Sequence, residues 1–147
     1  MNDYELKKYL FSLGVDVPPG GEVFFVAKAT TKAWEWIRGK VDTAHAFNTI
    51  ADALKSCEAS RLDTIVALPY HTETITTADQ LDMDTAGCRL VGVGTGNAMP
   101  KLDYTVAAGE LVIGAADCVV KNINFHSNVT AVLIGIEIEA AGDNFLI

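Results

Sequence analysis

The feature that most constrains this chain is a strand-length apolar run that keeps returning between Asp63 and Ile147. Thr64-Ile65-Val66-Ala67-Leu68, Arg89-Leu90-Val91-Gly92-Val93, Cys118-Val119-Val120-Lys121-Asn122-Ile123 and Asn144-Phe145-Leu146-Ile147 are four versions of it. Small or turn-forming residues lead into three of them, at Ala86-Gly87-Cys88, Ala116-Asp117-Cys118 and Gly142-Asp143-Asn144. Equivalent positions recur about every 25 to 30 residues, a period that belongs to stacked repeats. Each run is rich in Val and Ile and bounded by residues that tolerate tight turns, and helical periodicity is absent. The pattern predicts a coil of short strands, in which each turn of chain stacks on the one before and buries a continuous apolar interior.

The residues before Asp63 read differently. Residues 2–13 form an amphipathic pattern with Leu6, Leu10 and Leu13 on one stripe, Asn2 or Asp3 as cap and Gly14 as terminator. Pro18-Pro19-Gly20-Gly21 then forbids helix and permits a bend, which divides the chain into an N-terminal helix and linker over 1–21 and a strand domain over 22–147. A helix this short is marginal alone, so its leucines need a surface, either on their own domain or on a partner or neighbouring subunit. Glu22 to Ala27 reads as a first strand covered on both faces. Trp34 and Trp36 fall in an irregular stretch and suit internal packing, a subunit contact or a platform for a sugar ring. Residues 43–59 predict a helix capped by Asp42 or Thr43, with Phe47, Ile50, Ala51, Leu54 and Cys57 on one face. Laid over the end of a strand stack, such a helix blocks edge pairing with another chain.

Phe47 to Leu54, Asp63 to Ile75 and Cys88 to Gly94 together resemble the opening of the pectate-lyase-like right-handed parallel β-helix superfamily. There a short capping helix leads into a strand, a Pro-containing turn with an aromatic and a Glu, and then a Gly-rich rung. Here these are Phe47 to Leu54, Thr64 to Leu68, Pro69-Tyr70-His71 with Glu73, and Arg89 to Gly94. The resemblance spans roughly residues 22–147 and implies a mainly β fold: a right-handed parallel β-helix solenoid of few rungs, with a short N-terminal helix and a capping helix. It says little about activity, because that superfamily holds lyases, hydrolases, tailspikes and non-catalytic virion proteins alike.

Composition narrows the function classes. Half of the 147 residues are hydrophobic, 20% are charged and the net charge is −8, which disfavours disorder and a nucleic-acid partner. The N-terminal segment Met1-Asn2-Asp3-Tyr4-Glu5 has neither the basic nor the apolar region of a secretion signal, and no apolar run reaches membrane-spanning length, so synthesis in the host cytoplasm and no membrane partner are expected. Cys57, Cys88 and Cys118 lack metal-ligand spacing, and Cys88 and Cys118 occupy equivalent places in adjacent repeats, where stacking of small side chains is the expectation. No cofactor is expected. Lyases of the resembled superfamily need clustered carboxylates for a hard cation and a basic side chain beside them; Asp82, Asp84 and Asp103, with Arg61, Arg89 and Lys121, are the residues that could supply them, and a solvated face is the plainer reading. Glu137 and Glu139, two apart on one strand face and so roughly 7 Å apart, match the carboxylate separation of a glycosidase, but alternating glutamates on an exposed strand face are the plainer reading as solubility residues. His45, His71 and His126 have no Ser or Cys partner at motif spacing.

The resemblance is nearest to small β-helical structural proteins of tailed bacteriophages, and it implies a non-enzymatic virion component: capsid decoration, cement or a tail-associated module held through its N-terminus. Leu6, Leu10, Leu13, Trp34 and Trp36 are the expected docking residues for major capsid or tail proteins. The apolar strand Phe145, Leu146 and Ile147 predicts either a longer β-helix or coverage by subunits of a homo-oligomer, for which β-helical phage proteins suggest a trimer. The competing expectation is a carbohydrate-active enzyme, a lyase or hydrolase, or a module that binds host glycan.

Overall fold

Parallel strand pairing organises the molecule. The computed structural model describes residues 3–142 and 144–147; Met1, Asn2 and Asp143 lie outside the described residues, and with them the expected cap at Asn2 and the middle of the third lead-in. Helices are few: α1 (Asp3–Ser12), α2 (Lys32–Arg38) and α3 (Ile50–Leu54). The strands are β1 (Val23–Val26), β2 (Ala46–Phe47), β3 (Thr64–Ala67), β4 (Thr72–Ile75), β5 (Leu81–Met83), β6 (Arg89–Gly92), β7 (Lys101–Tyr104), β8 (Leu111–Ile113), β9 (Val119–Lys121), β10 (Asn124–Ser127) and β11 (Ile136–Ile138). A first sheet has the order β2-β1-β3-β6-β9, a second β10-β7-β4 and a third β11-β8-β5, with every pairing parallel. From β3 onward the chain visits first, second and third sheet in that order, three times over. Leu146 then bridges back to Val119 in the first sheet.

Register explains why the repeat was visible in the sequence. Thr64, Arg89 and Val119 stand level across β3, β6 and β9, with Leu146 next to Val119. One residue along, Phe24, Ile65, Leu90 and Val120 make an apolar column. Residues from all three sheets meet in one buried cluster, including Ile75, Leu102 and Tyr104 from the second and Leu81, Met83, Leu111 and Ile113 from the third. Each strand also needs a turn before it re-enters the first sheet. Leu62, Gly87, Asp117 and Asn144, each two positions ahead of the level residues, all have positive φ, at 63°, 80°, 59° and 58°. Gly, Asp and Asn enter that left-handed region readily, which is why the lead-ins carry them; Leu62 adopts it at a steric cost.

The first sheet is buried on both sides along β1 and β3, as the unbroken apolar run of β1 requires. Its outer face carries Val23, Phe25, Val66 and Val91, which join Leu10 of α1, Val15 and Ile37 of α2 in a second apolar cluster. Helix α1 therefore lies on its own sheet. It ends where the Gly14 and Val15 N–H groups donate back to Phe11 and Leu10 carbonyls, with Gly14 at φ 78°.

The expected helix over 43–59 is shorter than its apolar face suggested. Thr43–His45 is a 3₁₀ turn capped by Asp42, and Ala46–Phe47 is extended and pairs with Phe25 and Val26. The α-helix starts only after Thr49, whose side chain accepts from the Asp52 N–H. Phe47 thus reaches the core from a strand rather than a helix, while Ile50, Ala53 and Leu54 close the interior at one end.

That closure is tied by Asp63, which is fully buried. Its carboxylate accepts from the Glu22 N–H at 2.9 Å, the Glu58 N–H at 2.8 Å and Arg61 Nε at 2.7 Å, joining the approaches to β1 and β3 to the segment after α3. Burial pushes this carboxyl upward, but the bonds from Arg61, Glu58 and Glu22 outweigh it and hold it below 3.8. A carboxyl depressed in the folded state contributes stability above its unfolded value and loses that contribution as pH falls through its folded one. Asp63→Asn is expected to destabilise the chain by about 2–4 kcal/mol at neutral pH. Urea unfolding should show this as a lower midpoint, with the gap to the parent chain closing as the pH drops below 3.8.

Candidate functional site

The most organised exposed polar group lies on the outer face of the second sheet. Alternation along β4, β7 and β10 turns Glu73, Ile75, Leu102 and Tyr104 inward and Thr74, Asp103 and His126 outward, and register sets those last three in one row. Asp103 is the hub. His126 Nδ1 lies 2.7 Å from its Oδ1, and Asn128 Nδ2 donates to both of its oxygens at 2.8 Å. Lys101 Nζ stands 3.8 Å away on the same strand. The Asp103 side chain is 13% exposed and that of His126 45%, so the carboxylate backs an imidazole that meets solvent. Engaging Nδ1 leaves Nε2 as the nitrogen able to exchange a proton or bind a ligand.

The third sheet presents carboxylates. Asp82, Val112 and Glu137 share one row, and Glu139 and Asp82 both lie close to Gly114. Partial burial, then the charges of Asp84, Glu139 and Asp79, push the Asp82 carboxyl up. Glu110 is raised by burial, by Glu137 and by Asp79. Beside them opens a cleft of about 450 Å³ between α3 and β5, lined by Lys55, Asp79, Asp82 and Asp84 among others. Among the described residues no three His, Cys, Asp or Glu side chains are grouped so as to hold a metal ion.

The residues singled out from sequence are scattered over several surfaces. Leu10 is fully buried in the cluster on the first sheet, with Leu6, Trp34 and Trp36 packed partly against it, while Leu13 is 40% exposed. Trp36 meets Tyr9 at a centroid distance of 5.5 Å. The most exposed apolar residues of α1 are instead Tyr4 and Phe11, each 75% exposed, with Tyr9 at 40%. Phe145 packs partly into the interior, whereas Leu146 and Ile147 are 62% and 71% exposed. Arg89 and Lys121 are not level with each other: Arg89 stands beside Val119 and Lys121 beside Val91. Arg61 belongs to the Asp63 knot. Asp82, Asp84, Glu137 and Glu139 fall on the third sheet or its edge and Asp103 on the second, so no common acidic and basic group forms from them.

Two arrangements escaped the sequence reading. Asp103 and His126 both lie in strands, on β7 and β10, and parallel register sets them side by side. The alternation Lys101-Leu102-Asp103-Tyr104 and Asn124-Phe125-His126-Ser127 was the signal for it. The other is internal: Glu73, 4% exposed, accepts from the Ile50 N–H at 3.0 Å and lies 2.9 Å from His71 Nε2, so it satisfies the first turn of α3 from inside the core. His45, by contrast, stacks on Phe24 and stands 3.3 Å from Glu22.

No family model, curated protein or solved structure matches this chain. Among the described residues no helix is long and apolar enough to cross a membrane.

The crowded third sheet makes a prediction of its own. Carboxyls raised in the folded state cost stability at neutral pH and return it as pH falls through their folded values. Asp82→Asn and Glu110→Gln should each stabilise the chain by about 0.5 kcal/mol at pH 7. Thermal melts repeated at progressively lower pH should show that advantage shrinking.

Proposed function

We propose that the chain is a right-handed parallel β-helix of few rungs and serves as a non-enzymatic structural module of a tailed-bacteriophage virion. The repeated order of the three parallel sheets around one apolar cluster supports the coil, and about 98% of parallel crossovers take the right hand. The observation that carries the functional reading is α1. Leu10 pins it to the first sheet, so the helix is a fixed plate rather than a tether, and it holds Tyr4 and Phe11 outward seven residues apart. Exposed aromatics on a held helix are what a docking face on a capsid or tail protein requires. The most deeply buried carboxylates fit a structural role, since Asp63 and Glu73 both satisfy backbone donors at the end of the stack. Assembly as a homotrimer follows the same logic, with Leu133 and Ile134, 77% and 47% exposed, available to neighbouring subunits.

Sedimentation through sucrose tests this. The chain should travel with intact particles, and a Tyr4→Ser/Phe11→Ser variant that melts like the parent should stay at the top of the gradient. A parent chain that never sediments with particles, or a variant that still does, contradicts the reading. Light scattering should give three times the 15.7 kDa chain mass.

A second reading, a carbohydrate-active or glycan-binding surface, is favoured by the Asp103–His126 pair, because a carboxylate-oriented imidazole is suited to general base chemistry. Release of reducing ends or unsaturated sugar from host polysaccharide, abolished by His126→Ala, would establish it in place of the structural role.

A further inference from the structure

Cys57 and Cys88 are both free thiols, and their sulfurs lie 3.1 Å apart. That is about 1 Å from bonding distance. Cys57 follows α3 and Cys88 immediately precedes β6, so the contact spans β3, β4 and β5, one whole visit to the three sheets. Cys118, the neighbour of Cys88 across the β6–β9 pairing, turns its thiol instead toward the Thr85 and Met83 carbonyls, at 3.6 and 3.8 Å.

We propose that Cys57 and Cys88 form a disulfide site that locks α3 onto the strand stack, and that a low-molecular-weight disulfide is a sufficient oxidant. Cys57 is half-buried and Cys88 buried, so Cys57 meets the reagent first. Its thiolate attacks one sulfur of the reagent, forming a mixed disulfide and expelling one thiolate. Cys88 then gives up its proton and attacks the Cys57 sulfur, expelling the second thiolate. Two cysteine thiols and one small disulfide thus become one protein disulfide and two small thiols. In the free dithiol the hydrogen bond with Cys57 and burial both push the Cys88 thiol up; the mixed disulfide removes the first and keeps the second, so burial makes the second step the slow one.

Each cysteine sits on a different tryptic peptide, at 56–61, 62–89 and 102–121. The folded full-length chain is incubated with oxidised glutathione, remaining thiols are alkylated, and the digest is analysed by mass spectrometry with and without reductant. Peptide 56–61 should be linked to 62–89, the link should vanish in Cys57→Ser and persist in Cys118→Ser, and the oxidised chain should melt higher by on the order of 10 °C. A link between 62–89 and 102–121, or three alkylated cysteines from the folded chain while the urea-unfolded chain does cross-link, would overturn the proposal. The Cys118→Ser variant keeps the test valid if Cys57→Ser fails to fold.

Discussion

Parallel register is the constraint on which the rest depends. Once a strand is laid beside its equivalent from the previous repeat, each side chain must stack on the one a repeat earlier. A column such as Phe24, Ile65, Leu90 and Val120 must then stay apolar along its length. One residue of slip would turn these side chains out and bring Val66 and Val91 in, removing the outer apolar surface that α1 and α2 cover. The register therefore fixes both clusters at once, the interior and the seat of the N-terminal helices.

Turns and closure follow from the same constraint. Each return to the first sheet needs a left-handed residue at one position, which Gly87, Asp117 and Asn144 adopt readily and Leu62 adopts against its preference. The first repeat also has no earlier strand layer in the second and third sheets, so its end must be closed by other means. Helix α3 covers it with Ile50, Ala53 and Leu54, and two buried carboxylates satisfy backbone donors the closure would leave bare. Buried carboxylates are costly without such partners, which gives Asp63 and Glu73 a physical account in which neither needs a catalytic role.

The strand repeats were legible because they depend on short-range patterns: Val and Ile runs, punctuated by Gly, Asp and Asn, at a steady interval. Packing over long separations was not. Leu6 and Leu10 marked a helix that needs a surface without saying which, and the surface is the outer face of the chain's own first sheet. Phe47 matched a helical stripe, yet pairing with Val26 drew it into a strand. The candidate site depends on the parallel register that sets His126 beside Asp103, a contact between residues 23 apart that no local pattern carries. The same register keeps Arg89 and Lys121 apart, since they pair with Val119 and Val91, two residues out of step.

The central claim is that α1 and the strand stack form one body, with the helix held as a plate on the first sheet. Native-state hydrogen exchange, read by peptide, tests it directly. Amides of residues 6–12 should be protected well beyond free-peptide rates, and those of β1, β3 and β6 should exchange slowest of all. Exchange over 6–12 at the rate of an unstructured peptide, with the sheets still protected, would mean that the helix is a free tether and would contradict the account.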